Sequence, residues 1–115
     1  MQTIPLSNYT EIENNENKII LEVNDLKKHF TLNKGIFSRN KNVAKAVDGV
    51  SFSVFEGETL ALVGESGCGK TTTGKLILRL MDPTSGSVKF KGRELYNLNK
   101  SEIRKIRRQM QIVFQ

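Results

Sequence analysis

The fold of this chain is decided by Gly64-Glu65-Ser66-Gly67-Cys68-Gly69-Lys70-Thr71. The stretch fits G-x-x-x-x-G-K-[ST] at every fixed position, which is typical of a loop that binds phosphate. Polyphosphate must come so close to the main chain that successive N–H groups point at its oxygens, and side chains at the three glycines would obstruct that approach or forbid a positive φ. Lys70 would supply positive charge to the β- and γ-phosphates, and the Thr71 hydroxyl would be a ligand for Mg²⁺.

The flanking residues predict a strand before this loop and a helix after it. Thr59-Leu60-Ala61-Leu62-Val63 is a short apolar run, as in a buried strand. An amphipathic helix is then predicted by the spacing of Thr73, Leu76, Ile77, Leu80 and Met81, and Asp82-Pro83 should end it. The positive end of such a helix would lie beneath the bound anion. The alternative is a glycine-rich turn that binds nothing.

Composition fits a single globular domain or part of one. The chain has 115 residues, of which 37% are hydrophobic and 26% charged, and no apolar run is long enough for a transmembrane helix. No secretory signal is evident at the N-terminus. The single cysteine, Cys68, cannot form an internal disulfide and suits a reducing cytoplasm.

The net charge of +6 is concentrated near the C-terminus. Eight basic residues lie between Lys89 and Arg108, opposed there by Glu94 and Glu102. Such a segment is compatible with a nucleic-acid or acidic-lipid surface, with a solvated helix face, or with a face that meets another subunit. Phe90 and Tyr96 are the aromatic residues within this stretch, and they do not make the series of stacking platforms that a nucleic-acid site requires, so we expect no nucleic-acid partner.

Residues 1–18 are polar and predict a disordered tail before a domain that covers residues 19–115. Strands are predicted at Ile19–Val23 and Val50–Phe55, with an extended segment at Lys27–Phe30 and a loop from Asn33 to Asn42.

After the phosphate loop and its helix, Pro83–Gly86 predicts a turn and Val88 and Phe90 a half-exposed strand. Asn99 and Glu102 form a capping-box pattern at the start of a second helix, whose apolar stripe is Ile103, Ile106 and Met110. The run Gln111–Phe114 predicts the opening of a buried strand.

This order of elements resembles the N-terminal part of an ABC-transporter ATPase subunit. Lys45–Phe52, Gly57–Leu60 and Val63–Lys70 are similar to the ATP-binding subunits of bacterial oligopeptide and dipeptide importers. Leu78-Arg79-Leu80 and Ile103–Arg107 point to the second of the paired ATPases. The fold implied is α/β, a P-loop NTPase of the ABC type, truncated to an antiparallel β part and the start of a parallel core sheet.

The resemblance also assigns roles to residues outside the loop. Phe30 would stack on adenine, although a phenylalanine of the core is the alternative, and Ala46 would line the pocket near the base. Gln115 would sense Mg²⁺ and the γ-phosphate, so that Thr71 and Gln115 are the expected metal ligands. Cys68 is expected to be a packing residue rather than a catalyst. The expected ATP-binding set is Phe30, Ala46, Gly64, Glu65, Ser66, Gly67, Cys68, Gly69, Lys70, Thr71, Thr72 and Gln115.

Three segments of the family lie beyond Gln115 and have no counterpart here: the signature, the Walker B strand with its catalytic Glu, and the switch histidine. A fragment is the simplest explanation, and one edge of Thr59–Val63 should then stand unpaired. No catalytic residue is therefore assigned, and whether the chain is itself an enzyme stays open.

For the parent protein, the resemblance implies ATP hydrolysis that drives peptide import. Its implied partners are a second ATPase subunit and permease subunits, on the cytoplasmic face of the inner membrane. The alternatives are a nucleotide-binding fragment without catalysis, an ATPase of another importer class, and a small GTPase or kinase. A GTPase should show Asp-x-x-Gly after the loop, and Thr72–Gln115 contains none.

Overall fold

The structure is a computed structural model that describes residues 1–5, 18–32, 42–65 and 67–114. Most of the predicted tail, most of the predicted loop at Asn33–Asn42, Ser66 and Gln115 lie outside the described residues. The elements in chain order are β1 Gln2–Pro5, β2 Ile19–Leu32, β3 Asn42–Phe55, β4 Leu60–Val63, α1 Lys70–Ile77, β5 Ser85–Phe90, β6 Arg93–Glu94, a 3-10 helix Leu95–Asn97 and α2 Lys100–Arg107.

Four strands form an antiparallel sheet in the order β3-β2-β5-β6. The long strands β2 and β3 pair from Ile19 opposite Phe55 to Leu32 opposite Asn42. The first strand, predicted to end at Val23, instead continues through a bulge, where Asp25 has a φ of 43°. The Asp25 N–H donates to the Ser51 hydroxyl at 2.8 Å, which satisfies a group that the bulge removes from the ladder.

The hydrophobic core lies between this sheet and the two helices. The predicted alternation in β5 is confirmed, because Val88 and Phe90 are buried. The capping box of α2 is confirmed as well: the Glu102 N–H donates to Asn99 Oδ1 at 2.9 Å, and the Asn99 N–H to Glu102 Oε2 at 3.0 Å. The buried apolar side chains are Val23, Leu26, Val47, Leu76, Val88, Phe90, Leu95, Ile103 and Ile106.

Helix α1 ends earlier than the predicted stop at Asp82-Pro83. Its last residue is Ile77, and Leu80, predicted for the buried stripe, is 52% exposed. The Arg79 N–H donates to Leu76 O at 3.0 Å and the Leu80 N–H to Lys75 O at 2.9 Å, a Schellman motif. This local hydrogen bonding ends the helix before the proline can act.

The N-terminal residues differ from the predicted tail, because Gln2–Pro5 form a strand. β1 pairs antiparallel with β4, from Gln2 opposite Val63 to Pro5 opposite Leu60. β1 therefore covers one edge of the phosphate-loop strand, and the other edge has no partner among the described strands, so one edge stands unpaired as predicted. A free edge of apolar strand offers ladder hydrogen bonds to any extended segment, which the polar composition of the tail did not reveal. β4 is the predicted start of the parallel core sheet, and its partner among the described strands is antiparallel.

The prediction of a buried strand at Gln111–Phe114 is wrong. The described residues of this segment form neither helix nor strand, and Val113 and Phe114 are 85% and 61% exposed. None of the described strands pairs with residues 111–114, so the backbone of this apolar run has no neighbouring strand with which to form sheet hydrogen bonds.

Candidate nucleotide-binding site

The loop joins the end of β4 to the start of α1, as its sequence predicts. Gly67 and Gly69 have φ values of 80° and 95°, in the left-handed region that favours glycine. A Cβ at Gly69 would overlap the carbonyl oxygen of Ala46, so the loop packs directly on the main chain of β3. A Cβ at Gly64 would overlap Sγ of Cys68. The glycines thus permit both the curvature of the loop and its close packing.

The N-terminus of α1 presents main-chain donors at the loop. Gly69 is the N-cap, and the first intrahelical bond runs from the Thr73 N–H to Gly69 O at 2.8 Å. The N–H groups of residues 70–72 precede that bond and have no partner within the helix. No side chain of the described residues caps α1. Three donors and the positive end of the helix therefore suit an anion at this point.

Lys70 folds back over its own loop. Its Nζ donates to the carbonyl oxygens of Gly64 and Glu65, the latter at 3.3 Å. A phosphate group in the loop would compete with these carbonyls for the ammonium group. Thr71 is exposed at the first turn of α1 and Thr72 is half-buried, so the Thr71 hydroxyl is accessible to a metal ion.

Thr73 is a site residue that sequence reasoning missed. It was predicted as part of the apolar stripe and is indeed fully buried, but its hydroxyl donates to Gly69 O at 2.8 Å. This side-chain hydrogen bond holds Gly69, the last glycine of the loop, against the first turn of α1. In the sequence, this role is indicated by a hydroxyl residue that lies within an otherwise apolar stripe, one turn after the loop.

A cavity of about 420 Å³ opens beside the loop, between β1 and β3. It brings together Ala46 and Cys68, two residues predicted for the site. Two residues of the predicted tail contribute as well, because β1 lies along β4. The lining is Met1, Thr3, Lys45, Ala46, Val47, Asp48, Gly49, Val50, Ser51 and Cys68.

Phe30 lies on β2, opposite Ala44, and does not line this cavity. Its side chain is 39% exposed, and Lys28 Nζ lies 5.1 Å from its ring centroid. This exposure contradicts the alternative that Phe30 belongs to the core. The ring is partly exposed on β2, with the Lys28 ammonium group over one face.

Asp48, which lines the cavity, is tied to β2 by His29. Nε2 of His29 lies 2.9 Å from Asp48 Oδ1, and Lys45 Nζ lies 4.0 Å from Oδ2. The hydrogen bond from His29 lowers the pKa of Asp48, and the charge of Lys45 adds to that effect. The carboxylate therefore stays ionised and accepts the hydrogen bond that links the two strands.

Ser66 and Gln115, the remaining predicted site residues, lie outside the described residues. In residues 1–5, 18–32, 42–65 and 67–114, no three His, Cys, Asp or Glu side chains are grouped so that they could hold a metal ion. Across the same residues, no helix has the length and apolar character needed to cross a membrane.

Comparison with known proteins decides the family. A sequence profile described as ABC transporter matches residues 47–115, which include the loop, both helices and β5. The chain belongs to the ABC transporter family. The fold agrees: a dimeric ATP-binding cassette in a post-hydrolysis state, bound to ADP and phosphate, superposes with a TM-score of 0.61 and 26% identity, over 77% of this chain and 35% of the other.

Among curated relatives, this ABC-family chain is similar to ATP-binding proteins of peptide transport. It is 52% identical over 97 residues to the oligopeptide transport ATP-binding protein AppF of Bacillus subtilis, 84% of this chain and 30% of that protein. It is 47% identical to the dipeptide transport ATP-binding protein DppF of Escherichia coli, over 84% of this chain and 28% of that protein. The chain thus spans less than a third of the length of these relatives. The predicted resemblance and fold class are confirmed.

Proposed function

We propose that this chain binds ATP with Mg²⁺ through residues 64–72, as part of the ATP-binding subunit of an oligopeptide or dipeptide importer. The observation that carries the proposal is the geometry of the loop. Left-handed glycines bring its main chain onto β3, and three helical N–H groups open α1 without partners in that helix. The names of the curated relatives support the peptide-import branch.

Each residue of the loop has a distinct task in this proposal. The N–H groups of residues 70–72 would bind phosphate oxygens, and Lys70 would exchange the carbonyls of Gly64 and Glu65 for the β- and γ-phosphates. The Thr71 hydroxyl would ligate Mg²⁺, and bound Mg²⁺ would neutralise charge on the phosphates. By resemblance, Ser66 and Gln115 complete the phosphate and metal contacts.

The base would lie away from the loop. We assign stacking on adenine to Phe30, because this aromatic residue is partly exposed on β2, and a wall of the pocket to Ala46, because it lies against Gly69. Stacking accepts any base, since every base has a π-face, so we expect weak discrimination between ATP and GTP.

Hydrolysis and transport belong to the assembled importer in this proposal. Lys70 and the loop donors would stabilise the charge that develops on the γ-phosphate as water attacks. The group that orients this water is not assigned to any residue of the chain. The proposed partners are a second ATPase subunit and permease subunits at the cytoplasmic face of the inner membrane.

Calorimetric titration of the chain with ATP and Mg²⁺ tests nucleotide binding. Lys70→Ala removes charge-assisted hydrogen bonds worth about 1.5–3 kcal/mol, so affinity should fall about 10- to 150-fold. Lys75→Ala, on the same helix but outside the loop, is the matched control and should bind like the unsubstituted chain. Equal affinities of the Lys70→Ala and Lys75→Ala variants, or an unsubstituted chain that fails to bind, would refute the assignment.

A chimera tests the peptide-import branch. The 97 residues that match the Bacillus subtilis relative would replace their counterpart in that protein, followed by measurement of oligopeptide uptake. We expect uptake that Lys70→Ala abolishes. A chimera that binds nucleotide and assembles but imports no peptide would contradict this branch and favour a different importer class.

A further inference from the structure

Arg79 occupies a backbone position that usually belongs to glycine. It is the residue after the C-cap of α1, with a φ of 51°, in the Schellman motif described above. A left-handed φ strains a residue with a Cβ, and glycine is the usual occupant of this position. The presence of arginine points to a task for its side chain.

That side chain reaches the segment in front of α2. Nη1 of Arg79 donates to Leu95 O at 3.1 Å and also to Leu98 O. Both carbonyls belong to the 3-10 helix and the linker that lead into the α2 N-cap, Asn99. Arg79 therefore fixes the start of α2 to the end of α1.

Two side chains from the α2 segment donate hydrogen bonds to main-chain carbonyls at the end of α1. Arg107, in the last turn of α2, donates through Nε to Leu78 O at 2.9 Å and through Nη2 to Arg79 O. The Tyr96 hydroxyl donates to Leu76 O at 3.0 Å. Carbonyls in the last turn of α1 and just after it thus accept hydrogen bonds from the segment that includes α2.

Arg79 and Arg107 both lie at the contact between α1 and α2, and neither forms an ion pair with a described carboxylate. Both side chains are half-buried. Carbonyl dipoles, including the negative end of α1, balance their charges. Because those dipoles have fixed directions, the contact holds α1 and α2 in one relative orientation.

We propose that Arg79 and Arg107 are positioning residues that make α1 and α2 a single body, so that ligand binding at the loop changes the stability of residues 100–114. The loop acts on the first turn of α1, and the arginine pair joins the last turn to α2. The effect of nucleotide on α2 rests on the proposed function, whereas the claim that α1 and α2 form a single body does not.

Native-state hydrogen exchange without nucleotide tests the single body. In the unsubstituted chain, the amides of Leu76, Ile103 and Ile106 should exchange with one shared opening constant. Arg79→Gly keeps the left-handed turn but removes the side chain, so exchange at Ile103 and Ile106 should become at least about 10-fold faster than at Leu76. Arg107→Lys, which keeps the charge but loses the forked donor, should have the same direction of effect. Arg104→Ala, an exposed arginine of the same helix, should keep the shared constant.

Addition of ADP with Mg²⁺ tests the coupling. Exchange at Ile103 and Ile106 should slow by the same factor as at Leu76 in the unsubstituted chain, whereas in Arg79→Gly only Leu76 and the loop should slow. Separate opening constants for α1 and α2 in the unsubstituted chain would overturn the proposal, whatever the nucleotide does. If nucleotide does not change exchange in the loop, the proposed function and the coupling are both refuted. The exchange experiment without nucleotide still decides whether α1 and α2 form a single body.

Discussion

Alanine at Gly69 should destabilise the chain more than alanine at Gly67. The two glycines lie in the same loop with similar left-handed φ values of 95° and 80°. They differ in their surroundings. A Cβ at Gly69 would overlap Ala46 O, which belongs to the main chain of β3, whereas a Cβ at Gly67 would meet nothing within 4 Å. Gly57, with a φ of 76° and equally open surroundings, is a control outside the loop.

The structure separates two contributions to the cost. Each of the three substitutions places a Cβ on a left-handed residue, at about 1–2 kcal/mol. Gly69→Ala adds an overlap between the new Cβ and Ala46 O, a main-chain atom of β3. By analogy with overpacking of a core, this overlap costs about 1–3 kcal/mol more. We therefore expect a loss of about 1–2 kcal/mol for Gly57→Ala and Gly67→Ala, and about 2–5 kcal/mol for Gly69→Ala.

Urea denaturation measures these free energies of unfolding, provided that the slope m is unchanged among the variants. Calorimetry with ADP and Mg²⁺ adds a second comparison. Gly67→Ala should weaken nucleotide binding and Gly57→Ala should not, because only Gly67 lies in the loop. A loss for Gly69→Ala within about 0.5 kcal/mol of that for Gly67→Ala would refute the close packing of the loop on β3.

Three further predictions concern residues around the loop. Phe30→Ala should weaken nucleotide binding about 5- to 150-fold, measured by calorimetry; a fall in thermal stability with unchanged affinity would instead mean that the ring packs against the protein. Asp48→Asn should be less stable than the unsubstituted chain above the ordinary carboxyl pKa of 3.8, and because the folded-state pKa is lowered, this difference should vanish as pH falls through that lowered pKa. Denaturation midpoints from about pH 6 to pH 2 measure it, and a difference that persists at the acid end would contradict the role of the carboxylate. Thr73→Val, which removes the donor to Gly69 O at nearly constant volume, should cost about 1 kcal/mol in urea denaturation, and an unchanged free energy would contradict the proposed tie.

The strand–loop–helix unit could be predicted from the sequence because its signals are local. The glycine spacing, the apolar run before it and the periodicity after it each depend on neighbouring residues alone. The same holds for the capping box at Asn99 and for the alternation in β5, both of which the structure confirms.

The features that sequence reasoning missed depend on contacts between distant residues. β1 forms because β4 offers an edge about sixty positions away, and a polar composition gives no sign of it. The early end of α1 depends on Arg79, whose left-handed backbone is accompanied by hydrogen bonds to the carbonyls of Leu95 and Leu98. Similarly, the hydroxyl of Thr73 serves the loop although its position has the spacing of a core residue.

Amide NMR shifts of the isotopically labelled chain, recorded during a titration with ADP and Mg²⁺, test whether the nucleotide binds at the loop. We expect the largest shifts at residues 64–72 and at Ala46, which lies against Gly69, and we expect Lys70→Ala to suppress them. Shifts confined to the basic segment from Lys89 to Arg108, with the loop unchanged, would contradict the account, because the nucleotide would then bind by charge alone.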